Sequence, residues 1–416
     1  MTTSPRNPAK IRQELELLSR FDGRNWWEKD QQGLRIHQLQ FAQLLAESDF
    51  FEGTISSRYP DLSARDRLRA PQMLGFVYIA NDVLHITPAG WQLIRGESIR
   101  DLFLRQMLKW QFPSWQHGGN PKTRWRYQKF LEGGVHPFRE TLRVALELEG
   151  ITKHEIALFL LPALTPQAFN RAVDKIREFR HELQSISGLR PRREFLQQVY
   201  ESELQRIYAE DIRLGRIGIR ETPAEGGREL QHFIHTKGRN LQDYADAVMR
   251  YFRYTGLFTL RGNRLVVSNV MKARQLLAVD LPLRTDYENV ATFYEYLGNP
   301  SIPQLPWETP SELQARLEQL SSEIKNLSTA LGRPTPQPPE RPLLDLCHWM
   351  ENQISSLRLE LLRQRWDIEE VTRFYTDILR RRVPVPSLFM EWNTWRAFLR
   401  LNHYCSLRPN FSLDLE

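Results

Sequence analysis

Arg65, Arg67 and Arg69 stand at alternate positions in the string SARDRLRA (63–70), with Gln72 just beyond. A guanidinium offers a rigid fork of donors that matches guanine O6 and N7 or a phosphate, and a Gln amide matches the adenine edge. A second group, Lys122, Arg124 and Arg126, alternates with Trp125 and Tyr127. Cations among rings can hold a phosphate backbone while the rings pack or stack. Arg58, Lys109 and His117 lie in the same basic stretch, and Arg250, Arg253, Arg261 and Arg264 form another. From Arg58 to Arg143 there are fourteen basic and seven acidic residues, which accounts for the whole net charge of +7. Clustered positive charge suits a polyanionic partner, whereas general solubility needs no clustering. His117 has no acidic, Ser or Cys neighbour at a spacing that suggests nucleophilic or acid–base catalysis.

Two repeated elements would position these residues. Gly75–Ile86 (GFVYIANDVLHI) and Gly256–Val267 (GLFTLRGNRLVV) each begin with a helix-stopping glycine and continue as strand, tight turn and strand. Each follows an arginine-bearing helix, which is the order of a winged helix in its DNA-binding form. In the first unit, Ser63–Asp66 fits a capping box that starts a helix at Ala64, and Pro71 ends or kinks it. Arg65 and Arg69 then share one face, while Ala64 and Leu68 form an apolar one. Asn81-Asp82 makes the turn, and Thr87-Pro88 caps a helix that lays Trp91, Leu93 and Ile94 against the wing. In the second unit Asn240 is an N-cap, Leu241, Tyr244, Ala245, Val248 and Phe252 form one buried stripe, and Gly262-Asn263 turns the hairpin. Between the units, Asp101–Trp110, Ile151–Leu161 and Gln167–Leu183 read as helices, and 111–120 and 215–227 as loops. Trp110 and Trp115 belong to packing.

At 416 residues, with 41% apolar and 11% aromatic residues, the chain can build several cores. Cys347 and Cys405 are far apart and lack metal-site spacing, so neither a disulfide framework nor zinc is indicated. The N-terminus lacks an apolar signal core, and no apolar run is long enough to span a bilayer, so a cytoplasmic location without membrane contact is expected.

After Gly298-Asn-Pro300 the composition shifts. Thr309-Pro-Ser-Glu312 is a capping box, and Leu313, Leu317, Leu320, Ile324, Leu327 and Leu331 form a seam at spacings of four and three. The proline-rich stretch 333–342 turns the chain into a second long helix over 343–366, and 367–382 gives a third. An antiparallel hairpin within one chain is expected ahead of dimerisation because the turn is short.

Five strings carry a resemblance: SPRNPAKI (4–11), SARDR (63–67), FLRQMLKWQFPSWQHGG (103–119), RYFRYTGLFTLRGN (250–263) and YEYLGNPSIPQLPWET (294–309). In order along nearly the whole chain they resemble the AlwI-type family of type IIS restriction and strand-nicking endonucleases, which includes the BstNBI type. The resemblance implies winged-helix-like recognition subdomains, a helical linker and a PD-(D/E)XK nuclease domain, cutting a few bases from a short asymmetric duplex site such as GAGTC or GGATC. FMEWNTW (389–395) resembles the opening of that nuclease domain, but the metal-binding carboxylates do not appear before Glu416. Glu323-Ile-Lys325 matches E-x-K on the leucine seam without strand context, and Pro60-Asp61 has no partner motif at a suitable distance.

The expected fold is mainly α with small β-hairpins: tandem winged-helix-like DNA-binding subdomains over 1–150 and 151–297, a helical linker over 298–386, and the start of a nuclease domain over 387–416. The expected function is sequence-specific duplex binding as the recognition and linker part of such an endonuclease. No catalytic residue, metal ligand or cofactor is assigned within the chain, and Mg²⁺ belongs to the nuclease domain. A monomer on double-stranded DNA is expected, with a nuclease domain or small catalytic subunit as partner. Two alternatives remain: a stand-alone winged-helix regulator, or a recognition subunit that recruits a separate nuclease chain.

Overall fold

A computed structural model describes residues 5–51, 53, 55, 60–114, 133–215, 217, 230–284, 290–365, 368–384 and 386–401. The chain is mainly helical with small antiparallel sheets, and it divides into two compact units, Met1–Pro306 and Trp307–Glu416. Among the described residues no helix is long and apolar enough to cross a membrane.

The first unit opens with α1 (Lys10–Leu18), α2 (Ile36–Ala46) and α3 (Pro60–Met73), followed by the hairpin β1 (Val77–Ala80) and β2 (Val83–Ile86). Asn25 bridges Val83 on the free edge of β2. Helix α3 differs from the sequence expectation at both ends. It starts at Pro60, not Ala64, because proline's fixed φ suits a first helical turn and Asp61 adds a favourable charge there. Ser63 lies inside it and caps nothing. Pro71 does not end the helix either: its missing N–H removes one bond in the last turn, and Gly75 at φ +74° makes the stop. Asn81 and Asp82 both take positive φ, as a two-residue hairpin turn requires. The Thr87 hydroxyl accepts from Gly90 N at the start of α4 (Pro88–Arg95), which is the expected cap with proline in the first turn. Leu93 is buried against this core, while Trp91 is 37% exposed. Helix α5 (Ile99–Lys109) follows, starting two residues earlier than expected.

The same order then recurs: α6 (Pro137–Glu147), β3 (Ile151–Thr152), a helical stretch α7 (Lys153–Glu155 continued by Ile156–Leu160), and a long helix before a hairpin. Ile151 and Thr152 are therefore strand, not helix; they pair with Leu265 and Arg264, making a three-stranded sheet in the order β3-β5-β4. Before the long helix come α8 (Pro166–Ser185), α9 (Leu189–Ile207) and α10 (Ala209–Arg213). The long helix is α11 (Leu230–Tyr254), which leads into β4 (Phe258–Arg261) and β5 (Arg264–Val267). Asn240 is not a cap but lies in its middle. Phe233 and Ile234 extend the apolar stripe by one more contact surface, and Gly238 lets α9 approach, with Leu204 Cδ1 only 3.3 Å from where a Cβ would sit. Tertiary burial thus overrides a good local start signal. Tyr244 is 40% exposed and Leu241 half-buried, so of the five expected stripe residues Ala245, Val248 and Phe252 are the buried ones. Helices α12 (Val270–Ala278) and α13 (Val290–Leu297) complete this unit's elements.

In the second unit α14 (Pro310–Ala330) and α15 (Leu343–Arg365) pair side by side but parallel, not as the expected antiparallel hairpin. Leu313, Arg316 and Glu323 meet Cys347, Glu351 and Arg358 in the same rising order, so the proline-rich stretch 333–342 carries the chain back to the start of α14. Helix α16 (Ile368–Leu379) packs on α17 (Pro386–Leu401). The seam closes within the chain: Leu313, Leu317 and Ile324 pack against Cys347, Met350, Ile354 and Leu357. Each buried leucine is worth about 1.5–3 kcal/mol. Thr309 caps α14 by accepting from Glu312 N, and Arg316–Glu351 and Arg358–Glu323 pairs tie the helices across the seam. Cys347 is a buried free thiol.

Candidate nucleic-acid interface

Helix α3 sorts its arginines by face. Ala64 and Leu68 are buried, which turns Arg65, Arg69 and Gln72, at i, i+4 and i+7, to the other side. Arg69 is 69% exposed, with Asp66 at 3.4 Å, and Arg65 reaches Asp61 at 3.7 Å. The Arg69–Asp66 pair is long and water-exposed and contributes little, so its guanidinium can exchange it for a base edge or phosphate at small cost, whereas Arg65 and Asp61 are only about a third exposed.

Arg67 was expected beside them and is not. It turns inward, donating from Nη1 to Glu14 Oε1 at 2.7 Å and lying over the Phe51 ring at 4.9 Å. Glu14 is fully buried, and burial pushes its carboxyl from 4.5 up to about 7 against the opposing pull of Arg67. Arg67 is thus a tie between α3 and α1 and is removed from the candidate contacts. Sequence reasoning missed Glu14, although the signal was available: it falls at i+3 from Ile11 and i−4 from Leu18, on the apolar face of α1.

Lys109 is also withdrawn. Its ammonium is fully buried and donates to the backbone oxygens of Leu297 at 2.7 Å, Asn299 at 2.6 Å and Tyr296 at 3.3 Å. Burial, helped by nearby Arg105, holds its pKa well below the ordinary lysine value. Gln106 donates to the carbonyls of Leu74 and Leu297, and Arg105 to that of Pro303. Two strings of the sequence resemblance, 103–119 and 294–309, therefore meet here in a polar joint inside the first unit. A third, 4–11, reaches α11: the Tyr251 hydroxyl donates to Pro5 O at 2.9 Å, and Arg6 pairs with Asp243 at 3.0 Å.

The two hairpins are unlike in charge and cover. The tip of the first is Asn81-Asp82, and Tyr294 of α13 stacks on Tyr78 of β1 with centroids 5.0 Å apart. The tip of the second is Gly262-Asn263, flanked by Arg261 and Arg264, which face one another in the β4–β5 register. Arg253, at the end of α11, is exposed as well. Arg253, Arg261 and Arg264 have no side-chain partner among the described residues, whereas Arg250 is held by Asp246 at 3.0 Å. Arg253 and Arg261 are exposed and Arg264 half-buried, and arginines without a partner among the described residues suit phosphate contact, since no existing bond must be broken. Arg58, His117, Lys122, Arg124 and Arg126 lie outside the described residues.

The carboxylates of the two motif fragments are engaged elsewhere. Glu323 sits on α14 and accepts from Arg358 at 2.9 Å, with Ile324 buried in the seam. Asp61 lies between Arg35 and Arg65. Neither set fits Mg²⁺, which needs carboxylates converging on one point. Among the described residues no three His, Cys, Asp or Glu side chains are grouped to hold a metal.

No curated protein matches the chain. Among solved structures it is similar to the DNA-binding domain of the BpuJ1 endonuclease, determined with pyrene- and phenanthrene-modified DNA. Identity is 12% with a TM-score of 0.34, over 73% of this chain and 86% of that one, a likeness too distant to bear on function. The AlwI restriction endonuclease family profile matches residues 72–416, and the chain belongs to that family.

Proposed function

We propose that the chain binds duplex DNA sequence-specifically as the recognition and linker part of a type IIS restriction or nicking endonuclease. The first unit would read a short asymmetric site through two winged-helix-like repeats, with α3 presenting Arg65, Arg69 and Gln72 to base edges in the major groove. The observation that carries this is the order of helix, edge strand or bridge, helix, helix and hairpin, which recurs with α8, α9 and α10 inserted before the last helix of the second copy, with arginines on the helix before the first hairpin and on the tip of the second. Family membership supplies the restriction-enzyme setting.

The paired helices α14 and α15 act in this reading as an arm, and cleavage is supplied by residues other than those described, in a nuclease domain or a separate catalytic subunit that brings Mg²⁺. Mixing the purified 416-residue chain with plasmid and Mg²⁺, alongside a gel-shift titration of the same DNA, tests both halves. Retardation without strand breaks is expected. Efficient nicking or cutting would overturn the assignment of chemistry elsewhere, and absence of any shift would overturn the binding function.

A further inference from the structure

We propose that the groove between α9 and α11 is a second DNA contact, holding the phosphate backbone of duplex that flanks the read sequence. This rests on the DNA-binding function above. The groove is about 980 Å³, with Arg193 and Gln197 on its α9 wall and His235, Arg239 and Gln242 on its α11 wall. Arg193 and Arg239 are exposed and have no side-chain partner among the described residues. Among the described residues Glu201 is the one carboxylate lining the groove, and it accepts from Gln197 Nε2 at 3.0 Å. Leu196, Tyr200, Leu204 and Ile234 form the apolar part of the lining, and the cations and amide donors on the two walls suit an anion laid between them.

Continuity of α11 selects DNA backbone over a small anion. At about 100° per residue, His235, Arg239, Gln242, Asp246, Arg250 and Arg253 fall within a stripe about 80° wide. Asp246 is paired with Arg250, so the charge left on this stripe is positive. From His235 to Arg253 an ideal helix rises about 27 Å, the axial length of about eight base pairs. One end of the stripe meets the hairpin that carries Arg261 and Arg264, and the other opens into the groove. A duplex held by that hairpin and running along α11 places its flanking phosphates between Arg193 and Arg239. Gly238 sets the groove's width by allowing Tyr200 and Leu204 of α9 to pack against α11.

The test is the salt dependence of binding for the wild type and for Arg193→Ala with Arg239→Ala, on a duplex with long flanks and on one trimmed to the read site. On the long duplex the double variant should lower the slope of log K against log[salt] by about 1.8, the value for two phosphate contacts. On the trimmed duplex the two proteins should bind alike. Both positions are exposed, so equal melting temperatures are expected. An unchanged slope on the long duplex, with wild-type binding intact, would overturn this inference alone. Failure of the wild type to bind either duplex would instead overturn the DNA-binding function, and the groove assignment with it.

Discussion

Arg67 donates to Glu14 across 2.7 Å, joining residues 53 positions apart and fixing α3 to α1, the first helix of the fold. The bond turns one of three neighbouring arginines of α3 inward, while Arg69 is exposed and Arg65 about a third exposed. It also places a titratable carboxyl beneath the surface proposed to meet DNA.

That carboxyl predicts a pH dependence. Glu14 binds its proton more tightly in the folded than in the unfolded chain, so its favourable contribution is complete below about pH 4.5 and is lost as pH rises through about 7. The span corresponds to about 3 kcal/mol at most. Urea unfolding of the wild type and Glu14→Gln between these limits should show the wild type losing stability relative to the variant as pH rises. A constant difference would mean that the carboxyl ionises normally.

Lys109→Met should destabilise the first unit by about 3 kcal/mol, because buried carbonyls at Leu297 and Asn299 lose a charged donor. Its effect on DNA should be indirect. The folded variant should keep the wild-type salt slope, and a slope lowered by a full phosphate contact would return Lys109 to the interface.

The two hairpins should behave differently. Arg261→Ala with Arg264→Ala should weaken binding to all duplex sequences alike and lower the salt slope by about 1 to 2. Asp82→Asn at the other tip should leave the slope within error. Equal losses from both tips would contradict the assignment of backbone contact to the second hairpin.

Local chemistry was legible in the sequence wherever a residue decides its own backbone. Gly75 and Gly256 end helices at positive φ, Asn81-Asp82 and Gly262-Asn263 turn hairpins, Thr87 and Thr309 cap helices, and the leucine spacing of α14 announces a partner helix. Where distant residues decide, it was not. Helix α11 runs through a good cap at Asn240 because α9 packs beside Gly238. Lys109 looked like one more surface cation in a basic stretch, yet its carbonyl partners lie about 190 residues later. Arg67 carries no local mark that distinguishes it from Arg65 or Arg69. Glu14 on an apolar stripe was the one clue to its partner, and pairing the two required the fold.

The central claim is that this chain selects a DNA sequence and that Arg65 and Arg69 do the reading. Binding-site selection from random duplexes measures it directly, with the wild type compared against Arg65→Ala with Arg69→Ala. The wild type should enrich one short asymmetric sequence, and the double variant should relax one or two base positions, at about 1–3 kcal/mol for each lost bidentate contact. Enrichment of the same sequence to the same depth by both proteins would contradict the account.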